Sequence, residues 1–426
     1  MTFEFNAQKL VYGGEALGHH DGRPVFVPLV LAGERAEVEI VRAAKGVLHA
    51  RPLRIIEASP ERAEPPCPYF GRCGGCQYQH LRTELQPEIK REILRETLRR
   101  IGKVAWDSEI ILHTASPWNY RNQAQLKVAR RADGQAALGF FESESHRVFP
   151  VDACRILSPR LNAILAALRS AEWARRLGSF REIDLLTDDR DDRVAVTLRG
   201  NIGHDAGTAI ARDLLGKLPE VVSAAIAAEA GRQVLGEPGL AYRVGEYSYR
   251  VSHGSFFQVS RFLLPQLTAA VTEAPPGELA LDLFAGVGLF TLPLSRHFAT
   301  VIGVESAPES ALDLEVNVRA HSLANVRVKG ATVFDFLRRF AHAEPDLVVL
   351  DPPRAGVDKG ALKLLADFRP KRIHYLSCSP PTLARDLGVL LPRGYQIISI
   401  EMFDLFPQTY HIESLVKLAR SDLAGA

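Results

Sequence analysis

Four of the five cysteines lie within the first 154 residues, in a pattern that suits binding of a metal or a metal cluster. Cys67, Cys73 and Cys76 have the spacing C-x5-C-x2-C, and the intervening glycines let the backbone wrap closely around a bound group. Cys154 is the available fourth thiolate. Four-thiolate zinc sites usually show two C-x2-C pairs, whereas iron–sulfur clusters more readily use a tight group of three and a distant fourth. The spacing therefore favours a cluster, and it is not the C-x3-C-x2-C of radical adenosylmethionine chemistry.

The fifth cysteine, Cys378, stands apart from this group. It follows the apolar run 373–377, which predicts a buried strand, and Ser379-Pro380-Pro381 ends that strand before a helical segment. A thiol at the carboxyl end of a strand in an open α/β sheet lies in the ligand crevice, and a following helix would favour its thiolate. The alternative is a buried, inert cysteine.

The sheet that would position Cys378 is indicated from about residue 250 onward. Strand-like runs alternate there with helical ones, which predicts a doubly wound, mostly parallel α/β sheet. After the strand 279–284, the glycine turn of Gly286 and Gly288 leads into a helix, and Glu305 ends the next strand. This pattern suits a dinucleotide or S-adenosylmethionine, and because the third glycine of the dinucleotide fingerprint is missing, that motif is weak evidence.

Asp351-Pro352-Pro353-Arg354 follows a later strand and gives a rigid loop at the same edge. A D-P-P sequence at this place also occurs in enzymes that methylate exocyclic amines. Amine methylation needs no nucleophile on the enzyme, whereas carbon 5 of a pyrimidine becomes nucleophilic only after a thiolate adds at carbon 6. Cys378 therefore favours pyrimidine methylation.

The rest of the chain predicts two further parts. Residues 1–57 alternate short strands with glycine turns, which predicts a small β-barrel, and its recurring basic residues indicate either RNA binding or solvated strand faces. Residues 58–248 form a central α/β segment with the cysteine group and an amphipathic helix over 84–101. Residues 116–131 contain no acidic residue and carry the aromatic residues Trp118 and Tyr120 together with Arg121, Lys127, Arg130 and Arg131. This composition is typical of nucleic-acid contacts or of an ordinary edge strand.

Composition adds little about function. The chain has 426 residues, 46% of them apolar and 24% charged, and its net charge of +2 is too small to indicate a nucleic-acid partner by itself. No apolar run is long enough to cross a bilayer, and residues 1–6 lack the pattern of an export signal. We therefore expect a cytoplasmic, monomeric protein without a membrane partner. An odd cysteine count in such a chain argues against a disulfide framework.

Three motifs together resemble one known family. They are 351–354 (DPPR), 377–380 (SCSP) and 406–413 (FPQTYHIE), and in this order they look like the RNA 5-methyluridine (uracil-5) methyltransferases. The amino-terminal barrel resembles a TRAM domain. Cys67, Cys73, Cys76 and Cys154 match the ligands of family members that carry a 4Fe–4S cluster, closest to the 23S rRNA enzymes. The resemblance covers nearly the whole chain and implies three domains: the barrel over 1–57, the cluster-bearing domain over 58–248 and a Rossmann-like class I methyltransferase domain over 249–426.

The resemblance also implies roles for individual residues. Cys378 would be the nucleophile and Glu413 the base that removes the proton of carbon 5. The residues that would contact S-adenosylmethionine are Gln258, Phe284, Glu305 and Asp351. The chain departs from the family pattern at Ala285, Leu289, Ala331 and Ser379, which concerns cofactor contacts and not the nucleophile or the base.

The activity implied is methylation of a uridine in RNA, most readily 23S rRNA, with tRNA as the alternative substrate. Two other functions stay open at this stage. One is an exocyclic-amine methyltransferase, which would keep its activity without Cys378. The other is a non-catalytic RNA-binding protein, which the joint presence of Cys378, Asp351 and Glu413 disfavours.

Overall fold

The computed structural model describes residues 1–229, 231–340 and 344–423. Its amino-terminal part is a six-stranded sheet in the order β1-β5-β6-β4-β3-β2, and β1 also contacts β3, which curls the sheet toward a barrel. The strands are β1 (Thr2–Asn6), β2 (Lys9–Leu10), β3 (Glu15–His20), β4 (Arg23–Pro28), β5 (Arg35–Ala44) and β6 (Val47–Glu57). The expected small barrel is therefore present. Burial alternates along the middle of these strands, as a sheet with one packed face requires.

Helix α1 (Gln86–Gly102) and strand β7 (Ile110–His113) connect the barrel to the rest of the chain. The apolar face of α1 buries Ile93, Leu94 and Leu98, and the helix ends at Lys103, whose left-handed φ of 55° lets its N–H return to the Leu98 carbonyl. β7 pairs in parallel with a strand near the carboxyl end of the chain. Segment 58–248 thus contributes one strand to the carboxyl-terminal sheet, which the sequence did not predict.

The central part is a seven-stranded sheet in the order β10-β9-β8-β11-β12-β13-β14, covered by three helices. Its core is a separate apolar cluster from those of the other parts. The elements are β8 (Gln123–Arg130), β9 (Ala136–Phe141), β10 (Val148–Pro150), α2 (Pro159–Leu168), α3 (Ala171–Leu177), β11 (Phe180–Thr187), β12 (Val194–Gly200), α4 (His204–Lys217), β13 (Val221–Ala228) and β14 (Gly231–Gly236).

The carboxyl-terminal part begins with a hairpin, so the boundary predicted at residue 249 falls inside its second strand. The hairpin and the following α/β elements are β15 (Gly239–Val244), β16 (Tyr247–Ser252), α5 (Leu264–Thr272), β17 (Gly277–Leu283), α6 (Thr291–Leu294), β18 (Phe298–Glu305), α7 (Pro308–Ala320), β19 (Val326–Gly330), α8 (Val333–Arg339), β20 (Leu347–Leu350), α9 (Lys359–Asp367), β21 (Arg372–Ser377), α10 (Pro380–Leu390), β22 (Tyr395–Phe403) and β23 (Glu413–Arg420).

β15 and β16 form a two-stranded sheet of their own, whereas the other strands of this part and β7 form one eight-stranded sheet, the large sheet, in the order β19-β18-β17-β20-β21-β23-β22-β7. β17 to β21 pair in parallel, whereas β23 is antiparallel to both of its neighbours. The predicted doubly wound sheet is confirmed. The strand order reverses between β17 and β20, and ligands of such sheets bind at that reversal, outside the carboxyl ends of the strands.

Two apolar cores lie on the two faces of this sheet. One of them runs on without interruption through α1 into the barrel. α1 and α10 approach so closely that a Cβ on Gly102 would lie 2.7 Å from the Ala384 carbonyl oxygen. The barrel and the methyltransferase-like sheet are therefore packed as neighbours through α1. No helix in the described ranges is both long and apolar enough to cross a membrane.

Candidate active site

Three of the residues singled out in the sequence meet at the carboxyl edge of the large sheet. Asp351 follows β20, Cys378 follows β21, and Glu413 is the first residue of β23. β21 and β23 pair with Ser377 opposite Ser414, so the next antiparallel step puts Cys378 opposite Glu413. Asp351 and Glu413 both act electrostatically on the Cys378 thiol. The sheet register thus brings a thiol and two carboxyl groups to one place.

Cys378 is half-buried and lies two residues before the start of α10. Burial raises its pKa to about 11, and the nearby Glu413 and Asp351 carboxyl groups add to this, while the guanidinium of Arg354 opposes it. Burial and the two carboxyl groups thus outweigh Arg354 in their effect on the pKa of Cys378. That the amino end of α10 favours the thiolate stays a prediction.

Glu413 has a side chain that is 3% exposed. Its Oε1 atom has no hydrogen-bond partner among the described residues. Burial raises the pKa of Glu413 well above its ordinary value, Asp351 raises it further, and Arg354 lowers it. Such a carboxyl group is poised to exchange a proton with a ligand, because protein groups do not occupy its free oxygen.

The thiol of Cys378 and the carboxyl group of Glu413 have three further neighbours, which are Arg354, His411 and Tyr12. The Arg354 Nη2 atom lies 3.1 Å from His411 Nε2, and burial together with Arg354 lowers the pKa of His411 to about 3, so the ring is neutral. The Tyr12 hydroxyl donates to the Cys378 carbonyl oxygen over 3.4 Å, and its ring packs edge-on against Tyr410 with centroids 5.5 Å apart. The barrel therefore reaches the loop that carries the thiol.

A pocket for a small ligand opens beside Asp351. It is lined by Phe256, Gln258, Phe284, Gly286 and Asp351, among others. The Gln258 amide donates to the Asp351 carboxylate over 3.1 Å. Burial and the neighbouring Asp282 raise the pKa of Asp351 to about 7, so an added cation would be needed to hold this carboxylate fully ionised at neutral pH.

Phe284 lines both this pocket and a second cavity of about 210 Å³, which Ser306, Ala331 and Asp358 also help to line. The Glu305 carboxylate accepts from the Gly286 N–H at 2.9 Å and from the Ala307 N–H at 2.6 Å. Phe284 has a φ of 78°, a strained value for a bulky residue that is typical of functional turns. Ala331, one of the departures named above, adds an apolar side chain to the wall of this cavity, and Asp358 adds a carboxylate.

These two cavities fit the parts of S-adenosylmethionine. An amino-acid end and a sulfonium would face Gln258 and Asp351, a ribose would face Glu305, and an adenine would lie in the second cavity beside Phe284. The fit rests on the contact between Gln258 and Asp351 and on the glycine turn, because Gly286 has a φ of 54° and a Cβ there would meet no atom within 4 Å.

Cys67, Cys73, Cys76 and Cys154 line one cavity, away from the large sheet and next to Arg121. Their sulfurs receive hydrogen bonds: Gly75 donates to Cys73, Gln79 to Cys76, and the backbone of Ile156 and Leu157 to Cys154. In the described part of the chain, no group of three or more His, Cys, Asp or Glu side chains is arranged to hold a single metal ion. A cluster in which each thiolate binds its own iron does not need that closer arrangement.

The basic stretches are less available than the sequence suggested. On the barrel, Arg35, Arg51 and Arg54 each pair with a glutamate. In segment 116–131, Tyr120 is 1% exposed and donates to the Pro407 carbonyl, and Lys127 bonds to Glu182. Tyr120 is therefore a core residue and not a stacking platform, and Arg130 and Arg131 stay exposed.

The sequence did not assign roles to Tyr12, Arg354 or His411. Arg354 and His411 lie within the quoted motifs, so their positions were visible but their contact was not. Tyr12 begins the Gly13-Gly14 turn of the barrel, and only the packing of the barrel against the large sheet brings it to Cys378.

Comparison with known proteins identifies the family. Residues 83–421 match the family described as tRNA (Uracil-5-)-methyltransferase, and residues 5–53 match the TRAM domain. An uncharacterized RNA methyltransferase of Aquifex aeolicus is 34% identical over 98% of this chain and 99% of its own length. A 23S rRNA (uracil(1939)-C(5))-methyltransferase of Alkalilimnicola ehrlichii is 34% identical over 98% of this chain and 96% of its own length.

Among solved structures, the tRNA (uracil-54, C5)-methyltransferase of Pyrococcus abyssi, bound to S-adenosyl-L-homocysteine, shares the fold with a TM-score of 0.78 and 23% identity. The similarity covers 98% of this chain and 100% of that one. With a TRAM barrel, a doubly wound sheet and a thiol facing a buried glutamate, the chain belongs to the family of S-adenosylmethionine-dependent RNA uracil-5 methyltransferases.

Proposed function

We propose that this protein methylates carbon 5 of a specific uridine in 23S rRNA. The observation that carries the proposal is the position of Cys378, directly after β21, next to Glu413, the first residue of the neighbouring β23, beside a pocket suited to S-adenosylmethionine. Carbon 5 of uracil needs both groups: a thiol to activate the ring and a base to remove the proton afterwards. An exocyclic amine needs neither.

Cys378 starts the proposed reaction. The target uridine leaves its stack and enters the crevice between barrel and sheet. The Cys378 sulfur adds as thiolate to carbon 6, and the electron pair of the C5–C6 double bond moves toward carbon 5 and oxygen 4. S-adenosylmethionine supplies the methyl group that carbon 5 takes up, leaving as S-adenosylhomocysteine.

Glu413 completes the proposed reaction. Its carboxylate accepts the proton of carbon 5, the double bond forms again, and the bond between Cys378 and carbon 6 breaks. Arg354 supports both groups, because its positive charge lowers the pKa of the Cys378 thiol and of the Glu413 carboxyl group. Gln258, Phe284, Glu305 and Asp351 hold the methyl donor in this proposal, with the ionised Asp351 facing its sulfonium.

We also propose that Cys67, Cys73, Cys76 and Cys154 hold a 4Fe–4S cluster with a structural role. Their common cavity and the hydrogen bonds to their sulfurs support this. Cys73→Ser should lose iron and lower the folding stability while the folded fraction still binds S-adenosylmethionine. A Cys73→Ser protein that lacks iron yet is as stable and active as the wild type would contradict the structural role.

The choice of RNA is supported by the 34% identity to a relative named for 23S rRNA. tRNA is the second candidate, because the matching family is described by its tRNA enzymes. Both substrates fit a protein of the cytoplasm, where the five unpaired cysteines would stay reduced. The monomeric state and the division at residues 57 and 248 stay predictions.

One experiment tests the reaction and its substrate together. Ribosomal RNA and tRNA that lack 5-methyluridine are incubated with methyl-labelled S-adenosylmethionine and either wild-type protein, Cys378→Ala or Glu413→Gln. We expect label at carbon 5 of one uridine in 23S rRNA with the wild type, none with Cys378→Ala, and with Glu413→Gln a methylated RNA that stays covalently attached to the protein.

Label on a base nitrogen, or label that survives Cys378→Ala, would overturn the proposal in favour of amine methylation. Label confined to tRNA would keep the chemistry and replace the substrate. RNA binding without any transfer of label would leave only a binding protein.

A further inference from the structure

Gln408 is a buried residue with an unusual backbone, close to the proposed base. It is 0% exposed and has a φ of 69°, in the left-handed region that residues with a Cβ rarely adopt. It lies in the loop between β22 and β23, five residues before Glu413. Strain of this kind costs about 1–3 kcal/mol and persists only where the surroundings hold the residue firmly.

Every polar atom of Gln408 is held by the segment that follows the cysteine group. Its carbonyl oxygen accepts from the Gln77 N–H at 2.9 Å and from the Tyr78 N–H at 3.0 Å. Gln86 accepts from its backbone N–H at 2.9 Å and donates to its side-chain oxygen at 3.0 Å. Its side-chain amide donates to the Thr83 hydroxyl at 3.1 Å. This set of contacts is called the Gln408 clamp below.

The clamp joins two distant parts of the chain. Gln77 and Tyr78 directly follow Cys76, and Gln86 is the first residue of α1. On the other side, the loop runs from Gln408 through His411 into Glu413. Thr409 closes a turn of this loop, since its hydroxyl donates to the Phe406 carbonyl and accepts from the His411 N–H. We infer that the short segment 409–412 transmits a displacement of Gln408 to Glu413.

We propose that Gln408 is a positioning residue for Glu413, and that the cysteine-bearing segment acts on the reaction through the Gln408 clamp. The inference rests on the proposed function, since Glu413 has its role only in that reaction. Glu413 acts only after the methyl group has been transferred, and its carboxylate must then lie close to the hydrogen of carbon 5. Loosening the clamp therefore slows the removal of the proton more than it slows binding.

Removing the contacts of the Gln408 clamp should cause a covalent protein–RNA adduct to accumulate. If Glu413 takes the proton late, the bond between the Cys378 sulfur and carbon 6 outlives methyl transfer, and the RNA stays attached to the protein in a denaturing gel. Gln408→Ala and Gln86→Met remove the contacts from either side. Gln408→Gly removes the same side chain as Gln408→Ala but accepts the positive φ without strain.

The test measures turnover, the attached fraction of RNA, iron content and affinity for S-adenosylmethionine, with Gln396→Ala, an exposed change on β22, as the control. We expect Gln408→Ala and Gln86→Met to lose at least about tenfold in turnover, out of the roughly 10²–10⁴ that a general base contributes. Both should accumulate attached RNA, keep iron and bind the methyl donor within about twofold of the wild type. Gln408→Gly should lie between Gln408→Ala and the wild type.

Two results would overturn the inference. One is folded, iron-containing Gln408→Ala and Gln86→Met proteins with wild-type turnover. The other is reduced turnover without attached RNA, because a clamp that only stabilises the fold would slow all steps alike. Failure of the proposed function looks different: the wild type itself would then form no 5-methyluridine.

Discussion

Lys90→Met should destabilise the protein strongly, because it leaves the buried carboxylate of Asp404 without its counter-ion. Lys90 lies on α1 with its side chain 1% exposed, and its ammonium contacts the Asp404 carboxylate at 2.7 Å and the Phe406 carbonyl oxygen at 2.9 Å. The Asp404 side chain is itself only 4% exposed. Burial lowers the pKa of Lys90, and Asp404 counteracts this, so each group depends on the other.

Removing one partner of such a buried pair costs about 3–5 kcal/mol, because the other charge keeps its desolvation penalty without its counter-ion. With a urea slope of about 1–3 kcal/mol per molar, the unfolding midpoint falls by roughly 1 M or more.

Urea unfolding of the wild type and Lys90→Met measures this loss. Adding Asp404→Asn to Lys90→Met should recover much of it, because the buried charge without a partner is then removed. Arg54→Met is the matched control, because its pair with Glu37 is exposed and pairs of that kind contribute about 0–1 kcal/mol. A loss below about 1 kcal/mol for Lys90→Met would refute the reasoning.

Three further predictions concern the active site. Tyr12→Phe removes a long hydrogen bond to the Cys378 carbonyl, so kcat/KM for RNA should fall about two- to threefold with unchanged affinity for S-adenosylmethionine; a full loss of activity would contradict this. Arg354→Met raises the pKa of Cys378 and Glu413, so the rise of kcat/KM with pH should move to higher pH, and Arg354→Lys should largely keep it in place. Because the pKa of Asp351 is about 7, calorimetry should show affinity for S-adenosylmethionine rising through neutral pH more than that for the uncharged S-adenosylhomocysteine, and Asp351→Asn should remove the difference.

The positions of Asp351 and Cys378 were predictable because both follow short apolar runs. Such runs mark buried parallel strands, and the ends of these strands share one edge. Glu305 was found by the same reasoning. The barrel strands were visible because glycine turns interrupt an alternating pattern, which the TRAM match and the six-stranded sheet bear out.

What the sequence did not predict depends on contacts between distant residues. β7 has four residues, and its partner β22 lies far along the chain, so no local pattern marks the pair. The left-handed backbone of Gln408 was equally hidden, because a glutamine gives no sign of a positive φ. Arg35, Arg51 and Arg54 looked free for RNA because their glutamate partners lie on neighbouring strands, beyond the reach of a one-dimensional pattern.

The proposed reaction releases one proton in each cycle, and the site has to pass this proton on. Each methyl transfer replaces the hydrogen of carbon 5, whose proton passes to Glu413. Cys378 leaves carbon 6 as a thiolate and has to lose a proton only when it begins an attack as the thiol. Glu413 has to release its proton before it can act as the base again, so one proton per cycle leaves the site for solvent. Arg354 is the exposed cation that lowers the pKa of both Cys378 and Glu413, and it thereby favours this departure.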